Sequence, residues 1–138
     1  MLYITGIQAL NIPCKLDTCG DWHSDLVKEE KIKYRLSEES IFKSWGIEKK
    51  REIFTDGKKY NVANTIRAIL DLLETGNIGL AQGMREDYIC NEKYNEILFE
   101  KVYELRNNEH WEEIDKLMQN EYYMKWVDYK CKRGNIKV

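Results

Sequence analysis

The densest run of reactive side chains is Asn11-Ile12-Pro13-Cys14-Lys15-Leu16-Asp17-Thr18-Cys19-Gly20-Asp21-Trp22-His23, which holds two thiols, two carboxylates, an imidazole and an indole. Two kinds of chemistry could use it. Cys14, Cys19 and His23 are soft or borderline ligands, and Cys90 or Asp21 could complete a tetrahedral zinc set. Alternatively, Cys19 or Cys14 could act as a nucleophile, with His23 as base and Asp21 or Asp17 orienting the imidazole. Against the metal, the spacing matches no standard finger and no Cys-x-x-Cys pair occurs. Against the nucleophile, catalytic partners are recognised by geometry and not by adjacency in sequence. A structural role carries more weight than either: Pro13 and Gly20 set turns, Asp17 or Asp21 caps backbone amides, Trp22 anchors the loop and the thiols pack.

Other candidate groups are weaker. Gly76, Gly79 and Gly83 are spaced through one stretch, but no Gly-Lys-Ser/Thr follows and no close Gly-x-Gly opens it. A helix cap and a bend explain them better. Arg67 and Asp71 stand at i, i+4, the spacing of a solvated surface pair. His110 reads as a helix-boundary residue. The run Lys130-Cys131-Lys132-Arg133-Gly134-Asn135-Ile136-Lys137-Val138 has four cations and no acid. That pattern fits a solubilising end, with contact to nucleic acid or an acidic partner as the lesser reading.

The elements that must position these groups fall into two halves. Residues 1–60 contain short β-like runs. Residues 2–12 are apolar up to Pro13, and in 31–36 Ile32, Tyr34 and Leu36 alternate with Lys33 and Arg35. Residues 51–55 and 58–60 flank Asp56-Gly57, a tight-hairpin signal. Residues 41–45 read as a helical turn ended by Gly46. Residues 61–133 predict three helices. The first, 62–75, places Val62, Ile66, Ile69 and Leu73 on one face, with Asn61 as N-cap and Gly76 beyond its end. The second, 92–106, has a stripe of Tyr94, Leu98, Val102 and Leu105. Phe99 and Tyr103 lie on nearly the opposite side, which marks them as partner-binding candidates. The third, 111–131, carries Trp111, Ile114, Met118, Tyr122, Trp126 and Tyr129 as a core stripe.

The chain of 138 residues, read as a single domain over 1–138, is long enough for one hydrophobic core. It holds 22 basic and 24 acidic residues, a balance that argues against a strongly electrostatic nucleic-acid binder. No apolar run approaches the about 20 residues of a membrane span, and no signal peptide is recognisable. The expected location is cytoplasmic, where Cys14, Cys19, Cys90 and Cys131 read as four thiols. No cofactor is called for; zinc is the one metal that the residue types would suit.

Tyr3-Ile4-Thr5-Gly6-Ile7 through Cys19-Gly20-Asp21-Trp22-His23, with Asn61-Val62-Ala63-Asn64, Ala81-Gln82-Gly83-Met84 and Ile89-Cys90-Asn91-Glu92-Lys93-Tyr94, resembles a family of small uncharacterised bacterial proteins. That family is associated with toxin–antitoxin or defence cassettes beside a nucleotidyltransferase-like partner. The resemblance implies a partner-binding role and transfers no catalytic residue.

The expected architecture is therefore α+β, a small N-terminal antiparallel sheet packed against three C-terminal helices. The expected function is a bacterial protein-interaction module, antitoxin-like or an inhibitory partner of an enzyme, with Phe99 and Tyr103 as contacts. The alternative is a small hydrolase or transferase using the 14–23 loop through Cys19, Asp21 and His23, with or without zinc. The residues favour the non-enzymatic role.

Overall fold

A computed structural model describes residues 1–20 and 32–135. Asp21, Trp22 and His23 lie outside the described residues. The architecture is α+β, with the strands in the N-terminal half and the longer helices after them. Strands β1 (Leu2–Ile4), β2 (Tyr34–Leu36), β3 (Ile47–Arg51) and β4 (Tyr60–Ala63) form one sheet in the order β2-β1-β4-β3. A short helix, α1 (Gly6–Leu10), follows β1. The helices α2 (Thr65–Glu74), α3 (Asn95–Tyr103), α4 (Trp111–Tyr122) and α5 (Met124–Asn135) come after the sheet. Single turns at Ile78–Ala81, Met84–Ile89 and Glu92–Tyr94 link α2 to α3.

The sheet is mixed, not purely antiparallel. β1 runs antiparallel to β2 but parallel to β4, with Ile4 opposite Val62. β3 and β4 are antiparallel, and Asp56-Gly57 lies in the connection between them, with Gly57 at φ +75°. The hairpin reading holds, although the strands begin and end further from the turn than the local pattern predicts.

Three other expectations change. Val62 and Ala63 belong to β4, so the helix starts later and its cap is Asn64, whose side chain accepts from the Arg67 amide. Apolar residues at 62 and 63 satisfy a buried strand as well as a helix face, and periodicity alone does not separate the two. In β2 the expected faces are reversed: Tyr34 and Leu36 are 48% and 39% exposed, while Arg35 turns inward. The predicted 111–131 helix is two helices, broken at Tyr123, which has φ +53° and ψ −131°. The chain folds back there. The Trp111 and Trp126 rings are 6.2 Å apart, whereas 15 residues of unbroken helix would separate them by about 22 Å.

The stripe predicted for that helix is the seam of the resulting hairpin. Ile114, Met118, Tyr122 and Trp126 are buried, and Trp111 and Tyr129 pack against the core. Asp115 secures the return by accepting from Trp126 Nε1 at 2.8 Å and Lys130 Nζ at 2.6 Å.

Between sheet and helices lies a polar cluster that contradicts the surface-pair reading of Arg67 and Asp71. Arg67 is 0% and Asp71 2% exposed. Asp71 Oδ2 accepts from Tyr3 OH at 2.5 Å and Thr5 Oγ1 at 2.6 Å. Its Oδ1 accepts from Arg35 Nη1 at 2.7 Å and Arg67 Nε at 2.9 Å. Four donors fill the lone-pair positions of a carboxylate. Arg35 also reaches Glu74, which receives Ser40 Oγ and the Ile41 amide. The two arginines and two acids sum to zero charge, the condition under which buried ions persist. Arg67 Nη1 donates to the Lys43 and Trp45 carbonyls. This brings the 43–46 turn so close that a Cβ at Gly46 would stand 2.7 Å from Arg67 Cβ. Gly46, at φ +75°, is required on both counts.

Candidate functional site

The 11–20 loop is held against the segment leading into α3. Gly20 N donates to Tyr88 O at 2.9 Å, Asp17 N to Tyr94 OH at 2.7 Å, and Asn91 Nδ2 to Asp17 Oδ2 at 3.1 Å. Lys93 Nζ lies 3.3 Å from the same carboxylate. A disulfide between Cys19 and Cys90 closes the set. This corrects the expectation of four thiols: two cysteines remain free, Cys14 half-buried and Cys131 exposed. Sequence spacing could not reveal the pair, because 71 residues separate its members.

The disulfide bears on both chemical readings of the loop. With its sulfur bonded to Cys90, Cys19 is not a thiolate nucleophile, and neither Cys19 nor Cys90 is a metal ligand in this state. Cys14 is directed elsewhere, with its sulfur 3.4 Å from Thr65 Oγ1 and 3.7 Å from Thr18 Oγ1. Asp21 and His23 lie outside the described residues. Among the described residues, no group of three or more His, Cys, Asp or Glu side chains could hold a metal ion.

Phe99 is not part of a spare exposed face. It is 5% exposed and sits among the rings of Tyr122, Trp126 and Tyr129, at centroid distances of 5.0, 5.5 and 5.7 Å. The return of α5 covers the aromatic side of α3, which is why one apolar helix face looked unpartnered when α5 was read as a straight continuation of α4. Tyr103 is half-buried, between Trp111, Tyr129 and the guanidiniums of Arg106 and Arg133.

What α5 leaves open is a groove of about 620 Å³ between itself and the start of α3. Phe99 and Tyr129 supply aromatic lining. Glu92 and Glu96 stand on the α3 side, and Lys125, Lys132 and Arg133 on the α5 side, with Asp128 among them. Lys125 Nζ bridges to Glu92 at 3.1 Å, and Arg133 Nη1 donates to Tyr129 OH at 3.3 Å. Burial raises the pKa of the Tyr129 phenol.

Of the lining residues, Phe99 is a sequence candidate for partner binding, Tyr129 belongs to the core stripe and Lys132 and Arg133 to the basic end, while Glu92, Glu96, Lys125 and Asp128 carry no site assignment from the sequence. A signal was present: Lys125, Tyr129 and Arg133 recur every four residues, one helical face. Glu92, Glu96 and Phe99 recur at four and three. Nothing local says that the two faces meet, because their meeting depends on the reversal at Tyr123.

No helix among the described residues is long and apolar enough to cross a membrane. Comparison with models of known families, with curated proteins and with solved structures finds no match for this chain.

Proposed function

We propose that this chain is a bacterial protein-interaction module, an antitoxin-like or inhibitory partner of an enzyme, acting in the cytoplasm. One observation carries the reading: the α3–α5 groove pairs an aromatic lining with walls of opposite charge. Interfaces combine an aromatic anchor with polar rims in this way. Such a groove suits an amphipathic segment of a partner protein, with an apolar side chain against Phe99 and Tyr129. Its basic residues would face Glu92 and Glu96, and its acidic residues Lys132 and Arg133. The Tyr103 ring, stacked beneath Arg133 at 5.2 Å, supports the basic wall. The resemblance to cassette-encoded proteins supports the choice of partner, the nucleotidyltransferase-like product of a neighbouring gene.

The test is co-purification and calorimetry with that neighbouring product. Lys132→Glu with Arg133→Glu reverses the basic wall on exposed residues and should weaken binding at least about tenfold while leaving urea unfolding unchanged. Unaltered affinity in the double variant, or no binding by the unmodified chain, overturns the reading.

A further inference from the structure

The disulfide and the groove share a segment of chain. Cys90 ends the Met84–Ile89 turn, and Glu92, two residues on, already lines the groove. Both Cys19 and Cys90 are at the surface. In a reducing compartment, an accessible disulfide of this kind is characteristically transient and redox-sensing, not a permanent staple. We infer that Cys19–Cys90 is a redox-operated latch on the α3 wall of the groove, closed when oxidised and opened by a dithiol reductant. Its consequence for partner binding rests on the groove reading; the chemistry and the loosening of the wall do not.

The exchange is a two-electron step. A thiolate of the reductant attacks one sulfur of the Cys19–Cys90 bond, forms a mixed disulfide and displaces the other cysteine as a thiolate, which takes up a proton. The second thiol of the reductant attacks the mixed disulfide and releases the remaining cysteine. The protein gains two thiols and the reductant leaves as its disulfide. The Cys90 sulfur is 3.0 Å from the Glu86 carbonyl oxygen, an acceptor ready for the new thiol proton.

The remaining contacts explain why opening would be local and reversible. Gly20 N–Tyr88 O keeps the two backbones adjacent. The contacts of Asp17 with Lys93 are exposed, with side chains 77% and 55% accessible, and such pairs hold weakly by themselves. Asp17 N–Tyr94 OH and Asn91 Nδ2–Asp17 Oδ2 are likewise exposed; without the covalent bond the clamp on residues 91–94 therefore opens more often, but its parts stay near enough to reoxidise. The buried Asp71 cluster makes no contact with this clamp among the hydrogen bonds described, and α2 meets the loop at its first residue, where Thr65 Oγ1 lies 2.7 Å from Thr18 Oγ1; the α2 amides beyond that turn should respond less than residues 92–103.

The experiment uses the full chain, equilibrated with oxidised glutathione or with dithiothreitol. Titratable thiols under denaturing conditions should rise from two to four on reduction. Hydrogen exchange read by mass spectrometry should quicken over residues 92–103 about fivefold or more beyond whatever change the α2 amides show, the mark of local opening. The Cys19→Ser, Cys90→Ser variant should reproduce the reduced pattern without reductant. Four free thiols after oxidation, including a protein that holds zinc on these sulfurs, overturn the latch. Unchanged exchange over 92–103 in verified reduced protein does the same, as does equal loss of protection in α2, which would make the bond a global staple. None of these measurements involves a partner, so a failed latch is distinguishable from a failed groove.

Discussion

Arg67 Nε donates to Asp71 Oδ1 at 2.9 Å with both side chains almost wholly removed from water, one turn apart on α2. This pair is the centre on which β1, β2 and the 43–46 turn converge. Removing one partner strands the other. Asp71→Ala leaves Arg67 and Arg35 facing each other without their shared acceptor, and should cost about 3–5 kcal/mol in urea unfolding. Replacing Arg67 and Asp71 together by Met and Leu should cost less than the sum of the two single changes, because neither leaves a buried charge behind.

The same cluster produces an alkaline weakness. Burial, and then the hydrogen bond to Asp71, push the Tyr3 phenol from 10.0 up to about 12. Above pH 10 the unfolded chain releases this proton while the folded chain retains it, so stability is full below pH 10 and falls as pH rises towards 12. Tyr122, raised by burial, contributes in the same direction. Tyr3→Phe should lower stability at neutral pH by about 1–3 kcal/mol, through unpaired Asp71 and Arg67 groups, and flatten the alkaline decline. Urea midpoints measured across the alkaline range would show both effects; an unchanged slope would exclude Tyr3 as a source.

Covalent closure of the 71-residue separation between Cys19 and Cys90 restricts the unfolded chain. The loop-entropy relation gives about 4 kcal/mol for it. Reduction should lower global stability by up to that amount without unfolding the core, since neither cysteine belongs to it. Near-ultraviolet circular dichroism of the Trp111, Trp126 and Tyr129 cluster should survive reduction at room temperature.

Tyr123 occupies a backbone region that favours glycine, and its side chain is 64% exposed. Tyr123→Gly would relieve strain worth about 1–3 kcal/mol, offset by the about 0.5–1 kcal/mol that glycine loses in chain entropy. A net gain of about 1 kcal/mol and a higher melting temperature are expected. A loss on thermal melting would mean that the ring itself holds the reversal.

Phe99 and Arg133 line the same groove but should separate under mutation. Phe99→Ala opens the aromatic core and should cost about 3–5 kcal/mol of stability. Arg133→Ala, at the surface, should change stability by less than about 0.5 kcal/mol. Chemical unfolding of the two variants decides this directly.

Much of the fold was legible where packing and local periodicity agree. Ile114, Met118 and Tyr122 repeat at helical spacing on α4 and are buried at that spacing. Gly57 and Gly76 mark the turn and helix end where glycine chemistry puts them, at φ +75° and +84°. Legibility failed where a distant residue decides a local outcome. Arg67 and Asp71 have the same spacing whether solvated or buried; Tyr3, Thr5 and Arg35 make the difference, from strands far away in sequence. The break at Tyr123 carries no glycine or proline, so it left no local mark. With the break unseen, Phe99 looked exposed and the groove could not be assembled. Of the candidate loop, the turn-rich character of 11–20 was readable, while the pairing of Cys19 with Cys90 needed the fold.

The position of β1 inside the sheet also governs events during synthesis. Its neighbour on one side is β2, but on the other it must await Val62, 58 residues downstream of Ile4. At about 5–20 residues per second, the ribosome needs roughly 3–12 s to supply that partner. During that interval the newborn first strand can pair along one edge at most. A nascent chain stalled before residue 60 would therefore present an open strand edge to chaperones, and one released after β4 and α2 would have its sheet closed over the charged cluster.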